Sequence, residues 1–260
     1  MRINHTSFYS YFAFLVFMVA INSTLWLIQS PAGPAVSSGE IITDLGTLGG
    51  IESRASGINS SGKVVGYSVT DTGKMHAFLW DGSLRDLGTL PTATETFANG
   101  INDADQIVGV SVDPGSTSKR AFLWQNGTMI DLGAFAPHAI NKTGEIVGSL
   151  TVQRNNVDWF DHACLWRSGT LTDLGTLGGN HSFADGINDA GQVAGLSFTA
   201  SNAQTHAFLW NNGAMSDLGT LGGATSQAYA LNQTGQVVGY ADTNGNSPHG
   251  FLYRNYSRGF

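Results

Sequence analysis

The chain has 260 residues, 34 of them Gly, and only 12% charged side chains against about 25% in an average soluble domain. A hydrophobic content of 42% excludes a disordered chain, and the scarcity of Glu, Lys and Arg excludes a coiled coil. Twelve Lys+Arg against nineteen Asp+Glu give a net charge of −7, without the basic footprint that nucleic acid requires.

Residues 8–28 are strongly apolar and uncharged, and their densest run, 12–21, has the length of a signal-peptide core. Asn22, Ser23 and Thr24 interrupt it, which disfavours a spanning helix. Small residues follow at Ser30, Ala32, Gly33 and Ala35, as a cleavage site needs. Residues 1–35 are therefore expected to be a secretory signal peptide, with a retained N-terminal anchor as the alternative. The product is then secreted, at the cell surface or in the periplasm, and touches a membrane only if the segment is retained. Cys164 is the single cysteine, so no internal disulfide can form and stability must come from packing.

Residues 39–260 read as one domain made of a unit written five times. Asp-Leu-Gly recurs at Asp44, Asp86, Asp131, Asp173 and Asp217, with spacings of 42, 45, 42 and 44. An Asn-x-x-Gly turn recurs at Asn59, Asn102 (Asp105 in the Gly place), Asn141, Asn188 and Asn232. His-Ala-Phe-Leu-Trp stands at 76–80 and 206–210, with variants at 120–124, 162–166 and 249–253. A period near 43 residues suits propeller blades, and the frequent Gly and Asn turns exclude a helical array. Each unit is predicted to hold four short strands. Strand A ends at the Asn turn, B carries Val-Val-Gly, C is His-Ala-Phe-Leu-Trp, and D ends in Asp-Leu-Gly. The Gly within every strand B (66, 109, 148, 195, 239) predicts close approach of a neighbouring backbone. The chain opens its repeats with a lone D and ends without one. The predicted fold is all-β: a five-bladed β-propeller of four-stranded blades, closed by the N-terminal strand. An open β-solenoid, and a fragment of a larger ring, are the rivals.

The repeats resemble the HAF-repeat family, predicted extracellular bacterial proteins named for His-Ala-Phe. The resemblance covers residues 41–253; Arg120 for His and Cys164 for Phe depart most. It implies an exported repeat protein and supplies no catalytic residues.

Residues that recur once per repeat are expected to be scaffold. His76, His162, His206 and His249 are predicted to bond within the sheet, to a repeat Asp. The strand-C Trp residues are predicted to pack between blades. No His or Cys spacing suits zinc, no loop matches a calcium site, and no phosphate loop is present, so no metal and no cofactor is expected. Exceptions to the repeat are the functional candidates. The B–C connection of repeat three is lengthened, and its added segment, 154–161, carries Asp158, Trp159 and Asp161. An exposed aromatic beside carboxylates suits a sugar ring; packing of Trp159 and Phe160 beneath the loop is the alternative. A variable position on strand A holds Ser56, Asn99, His138, Asp185 and Tyr229, of which the last four are ligand-binding candidates near a central channel. A solvated lining without ligand is the alternative there.

The expected function is that of a non-enzymatic, extracellular binding module, monomeric, recognising glycan or a surface protein through the loop face. A structural or adhesive repeat protein without a small-molecule site is the alternative. A glycan-active hydrolase is the third reading; it needs two carboxylates across the scissile bond.

Overall fold

A computed structural model describes residues 41–113, 119–154, 158–200 and 202–254. The signal-peptide expectation lies outside these residues. Nineteen strands and no helix are present among the described residues, so none is long and apolar enough to cross a membrane.

The strands form five antiparallel sheets, each a meander in which chain neighbours pair. The first sheet is β1 (Gly49–Ile58), β2 (Val64–Thr70), β3 (Met75–Trp80) and β4 (Leu84–Asp86). The second is β5 (Glu95–Ile101), β6 (Ile107–Val112), β7 (Lys119–Gln125) and β8 (Thr128–Gly133). The third is β9 (Ala136–Ile140), β10 (Ile146–Arg154), β11 (Asp158–Arg167) and β12 (Thr170–Asp173). The fourth is β13 (Gly178–Ile187), β14 (Val193–Thr199), β15 (Thr205–Asn211) and β16 (Ala214–Asp217). The fifth has only β17 (Gly222–Leu231), β18 (Val237–Thr243) and β19 (Pro248–Tyr253). These are the predicted A, B, C and D strands, in order.

Valine, phenylalanine and tryptophan fill β6, β7 and their equivalents in the three middle sheets, where both faces are covered. Val65, Ala77 and Leu79 of the first sheet pack against Ala98, Ile107, Phe122 and Trp124 of the second. The same interface recurs around Phe135 and Cys164, around Leu165 and Phe208, and around Leu209 and Val237. Trp124, Trp166 and Trp210 lie in these seams, as predicted, whereas Trp80 of the first sheet lies in none of the four. Burying one such side chain contributes about 1.5–3 kcal/mol. Cys164 is wholly buried in its seam, and burial pushes its thiol up to about 12.

The strand-B glycines approach strand A as predicted. A Cβ on Gly66, Gly109, Gly148, Gly195 or Gly239 would sit 1.9–2.0 Å from a strand-A carbonyl oxygen. Strand A carries a register shift beside each of them, for example between Ala184 and Gly186, which presses that carbonyl toward strand B.

The strand-C histidines bond as predicted in three repeats. His76 Nδ1 lies 2.8 Å from Asp86, His162 from Asp173, and His206 from Asp217. Arg120 takes the same place beside Asp131. The Asp also accepts the amide of the Gly two residues on, at 2.7 Å in Gly88, Gly175 and Gly219, which fixes the turn leaving the strand.

Contacts of any extent run between successive sheets, and no comparable set joins the fifth sheet to the first among the described residues. Residues 41–47 form no strand, and the fifth sheet has no fourth strand among the described residues.

Candidate functional site

The lengthened connection of repeat three is a hairpin rather than a loop. β10 and β11 stay in register out to Arg154 and Asp158, so Arg154 and 158–161 of the added segment pair as strand. The count of residues between Gly148 and His162 revealed the insertion, but not that it would continue the ladder. Trp159 is 57% exposed, and Asp158 is exposed beside it. Side chains two apart on a strand share a face, so Trp159 and Asp161 lie on one side of the hairpin. Gln153 and Thr151 face them across the ladder, and Thr151 Oγ1 donates to Asp161 Oδ1 at 2.9 Å.

The two aromatics of this hairpin have different surroundings. Phe160 is half-buried and meets the His181 ring edge-on, with centroids 5.5 Å apart. His181 also packs on Phe198 and Phe183. Burial holds its imidazole below the usual range, so its neutral Nδ1 accepts the Asp161 amide at 3.1 Å. His181 thus anchors the base of the hairpin. Its sequence signal is a histidine outside the repeat register, where repeats one, two and five hold Glu52, Glu95 and Thr225.

The strand-A candidates lie on β5, β9, β13 and β17, which adjoin one another from sheet to sheet. Asn99 Nδ2 donates to the Pro137 carbonyl at 2.7 Å, and His138 Nδ1 lies 2.8 Å from the Ala184 carbonyl. Ser56 makes the same bond to Ala98, at 2.6 Å. These polar side chains therefore tie each inner strand to the next. Around Asp185 several candidates do converge. His138 Nδ1 lies 3.8 Å from its carboxylate, and Gln227 donates to it at 3.1 Å. Burial pushes the Asp185 carboxyl up, opposed by His138 and Gln227. Burial also raises the Tyr229 phenol, with smaller contributions from Tyr240 and Asp185, and the two tyrosine rings lie 5.8 Å apart.

A carboxyl raised in this way holds its proton more tightly in the native state than in the unfolded chain. Its ionisation then costs stability as pH rises from the unfolded value of 3.8 through the folded one. Asp185→Asn removes that cost. Urea midpoints of variant and parent are expected to run parallel below pH 3.8 and to diverge above it in the variant's favour. A separation independent of pH would count against burial as the cause.

The hairpin and the Asp185 cluster form two separate patches. His181 and Asp185 mark their positions on β13, four residues apart, which is about 13 Å of strand. A cleft of about 470 Å³ lies elsewhere, lined by Arg167, Ser168, Gly191, Trp210 and Asn212, and holds none of the predicted site residues. It is built from the turns opposite the hairpin, where the repeats keep their regular lengths. Among the described residues no group of His, Cys, Asp or Glu is placed to hold a metal ion. No family model matches the chain, and no curated protein matches it significantly.

Proposed function

We propose that this is a non-enzymatic binding module that recognises glycan through the hairpin of the third repeat. Exposed Trp159, with Asp161 on the same face, carries the reading. An indole presents a flat apolar surface to a sugar ring, and a carboxylate beside it accepts hydrogen bonds from the ring hydroxyls. The His181 anchor keeps the hairpin in place without a ligand, which lowers the ordering cost of binding. Export to the cell surface or beyond is the accompanying proposal. It rests on the apolar N-terminal residues and on the resemblance to HAF-repeat proteins. In the same reading the five sheets are blades of a propeller, and the segment around Asp44, which forms no strand in the single chain, becomes the fourth strand of a fifth sheet.

The test is a binding screen of the protein against polysaccharides. Trp159→Ala is expected to weaken the binding found by about tenfold or more, the effect of removing an aromatic anchor. Phe160→Leu, on the packed side, serves as the control and is expected to bind like the parent. Equal binding by parent and Trp159→Ala would remove the hairpin from the function.

A further inference from the structure

The two terminal sheets expose what the other sheets bury. Val65, Val108, Val147 and Ala194 are all 0% exposed, whereas Val238 at the same place in β18 is 44% exposed. Leu79, Leu123, Leu165 and Leu209 are at most 8% exposed, whereas Leu252 is 49% exposed. Gly250 stands exposed where Ala77, Ala121, Ala163 and Ala207 are sealed. With Ala230, Leu231, Asn232 and Gln236, the exposed Val238 and Leu252 line a groove of about 320 Å³. On the first sheet the opposite face is open in part. Ala55 is exposed where Ala98, Ala184 and Ala228 are buried, and Ile58 is 67% exposed.

Polar partners are missing in the same matched way. Four Asp-Leu-Gly carboxylates hold a strand-C side chain (His76, Arg120, His162 or His206); Asp44 holds none, and His249 lacks a carboxylate, among the described residues. Asn59, Asn102, Asn141 and Asn188 each donate from Nδ2 to the next turn's Asn carbonyl, at 3.0–3.3 Å. Asn232 Nδ2 bonds only Gln236 within its own turn. The Ala77, Ala163 and Ala207 amides donate to a hydroxyl of the following sheet (Thr96, Ser182, Ser226). At the open end Gly250 stands in the amide's place and Ser53 in the hydroxyl's. Apolar face, amide ladder, hydroxyl and side-chain–carboxylate pair are thus each halved between the last sheet and the first.

We infer that the fifth sheet docks the first sheet of a second copy of this chain, head to tail. The seam would repeat the four within the chain, with Asp44 of one copy beside His249 of the other. A second copy fits better than the chain's own first sheet for a physical reason. Four close-packed seams fix the rotation of each sheet on the last, and with them in place the fifth and first faces stay open. Closing them on each other would strain every seam, whereas a second copy meets both faces as they stand. Such a contact is heterologous, so it propagates until a ring closes or a filament grows. The inference rests on the blade-completion reading above and is independent of any ligand at Trp159.

Single-cysteine variants of the full chain test it. Asp44→Cys and His249→Cys lie at exposed positions, and buried Cys164 stays unreactive. The two variants are mixed, treated with a short bis-maleimide and run on a denaturing gel. A covalent dimer is expected from the mixture, with little from either variant alone. Leu252→Asp added to the His249→Cys chain is expected to cut its yield at least about tenfold, the loss for one buried leucine contact. The Asp44→Cys/His249→Cys double variant separates the failures. An intrachain cross-link in it, with no dimer from the mixture, would overturn the second copy and keep the blade completion. No product in either experiment would overturn both.

Discussion

Gly195→Ala is expected to destabilise the protein by about 3 kcal/mol or more, at the upper end of overpacking effects. The added Cβ would stand 1.9 Å from the Phe183 carbonyl oxygen and 3.0 Å from Ala184 Cα. Both are backbone atoms, so no side-chain rotation relieves the overlap. β13 would have to move off β14, but Ala184 on one side and Ala194 on the other are sealed in two different seams. The strain therefore reaches three sheets at once. Gly100→Ala is the matched control. Its Cβ would meet His138 O, Ile140 and Val108 at 3.7 Å, ordinary contact distances. Repeats three and five already carry Ala139 and Ala230 there. That variant is expected to be neutral or more stable by about 0.4–1 kcal/mol, through the lower entropy of its unfolded chain. Chemical denaturation of the two variants and the parent measures both effects; equal midpoints would show that the strand-B glycines are not constrained by packing.

The repeat made much of this architecture legible. Strand order, the Asn turns, the close approach at each strand-B Gly and the His–Asp pairs all follow from residues that recur at fixed places. Recurrence reports what a unit needs for its own fold and for its contact with the next unit. It does not report how successive units are rotated, because that angle comes from side-chain packing in the seams. Closure of the ring was therefore an expectation about geometry drawn from a pattern of strands. The chain does supply a lone Asp44 and a His249 without a carboxylate, yet among the described residues five seams' worth of side chains form four seams.

The candidate site was legible in part for a similar reason. The insertion in repeat three was visible by counting, and Trp159 is exposed as a binding residue must be. That Phe160 packs on His181 depends on a contact between sheets, which counting within a repeat cannot supply. The variable strand-A position predicts a ligand-binding ring because it changes from repeat to repeat on a constant scaffold. Its first three residues instead reach a carbonyl of the next inner strand, and serine, asparagine and histidine each have a nitrogen or oxygen able to make that bond. Variation there reflects several solutions to one structural need. Asp185 is the exception: a carboxylate cannot donate to the next carbonyl, and Gln227 donates to it instead.

The second large effect is expected at Asn188. Its Oδ1 accepts the Ala190 and Gln192 amides at 3.1 and 3.0 Å, and its Nδ2 donates to Gln192 Oε1 and the Asn232 carbonyl at 2.8 and 3.0 Å. The residue is 1% exposed, so water cannot replace these partners. Asn188→Ala leaves several polar groups short of a bond, and each buried orphan costs about 1–3 kcal/mol. A total near 3 kcal/mol is expected by urea denaturation. Asn232→Ala makes the comparison informative. Asn232 forms the same turn bonds to Thr234 and Gln236 but is exposed and donates to no following sheet. At chain dilutions that keep the protein monomeric, its loss is expected to cost about 1 kcal/mol, the value of solvent-compensated hydrogen bonds. The difference between the two variants then isolates the burial and the cross-sheet bond from the turn itself. Equal losses would mean that the asparagines act only as turn residues, and that the ladder linking one sheet to the next adds nothing to the cohesion of the array.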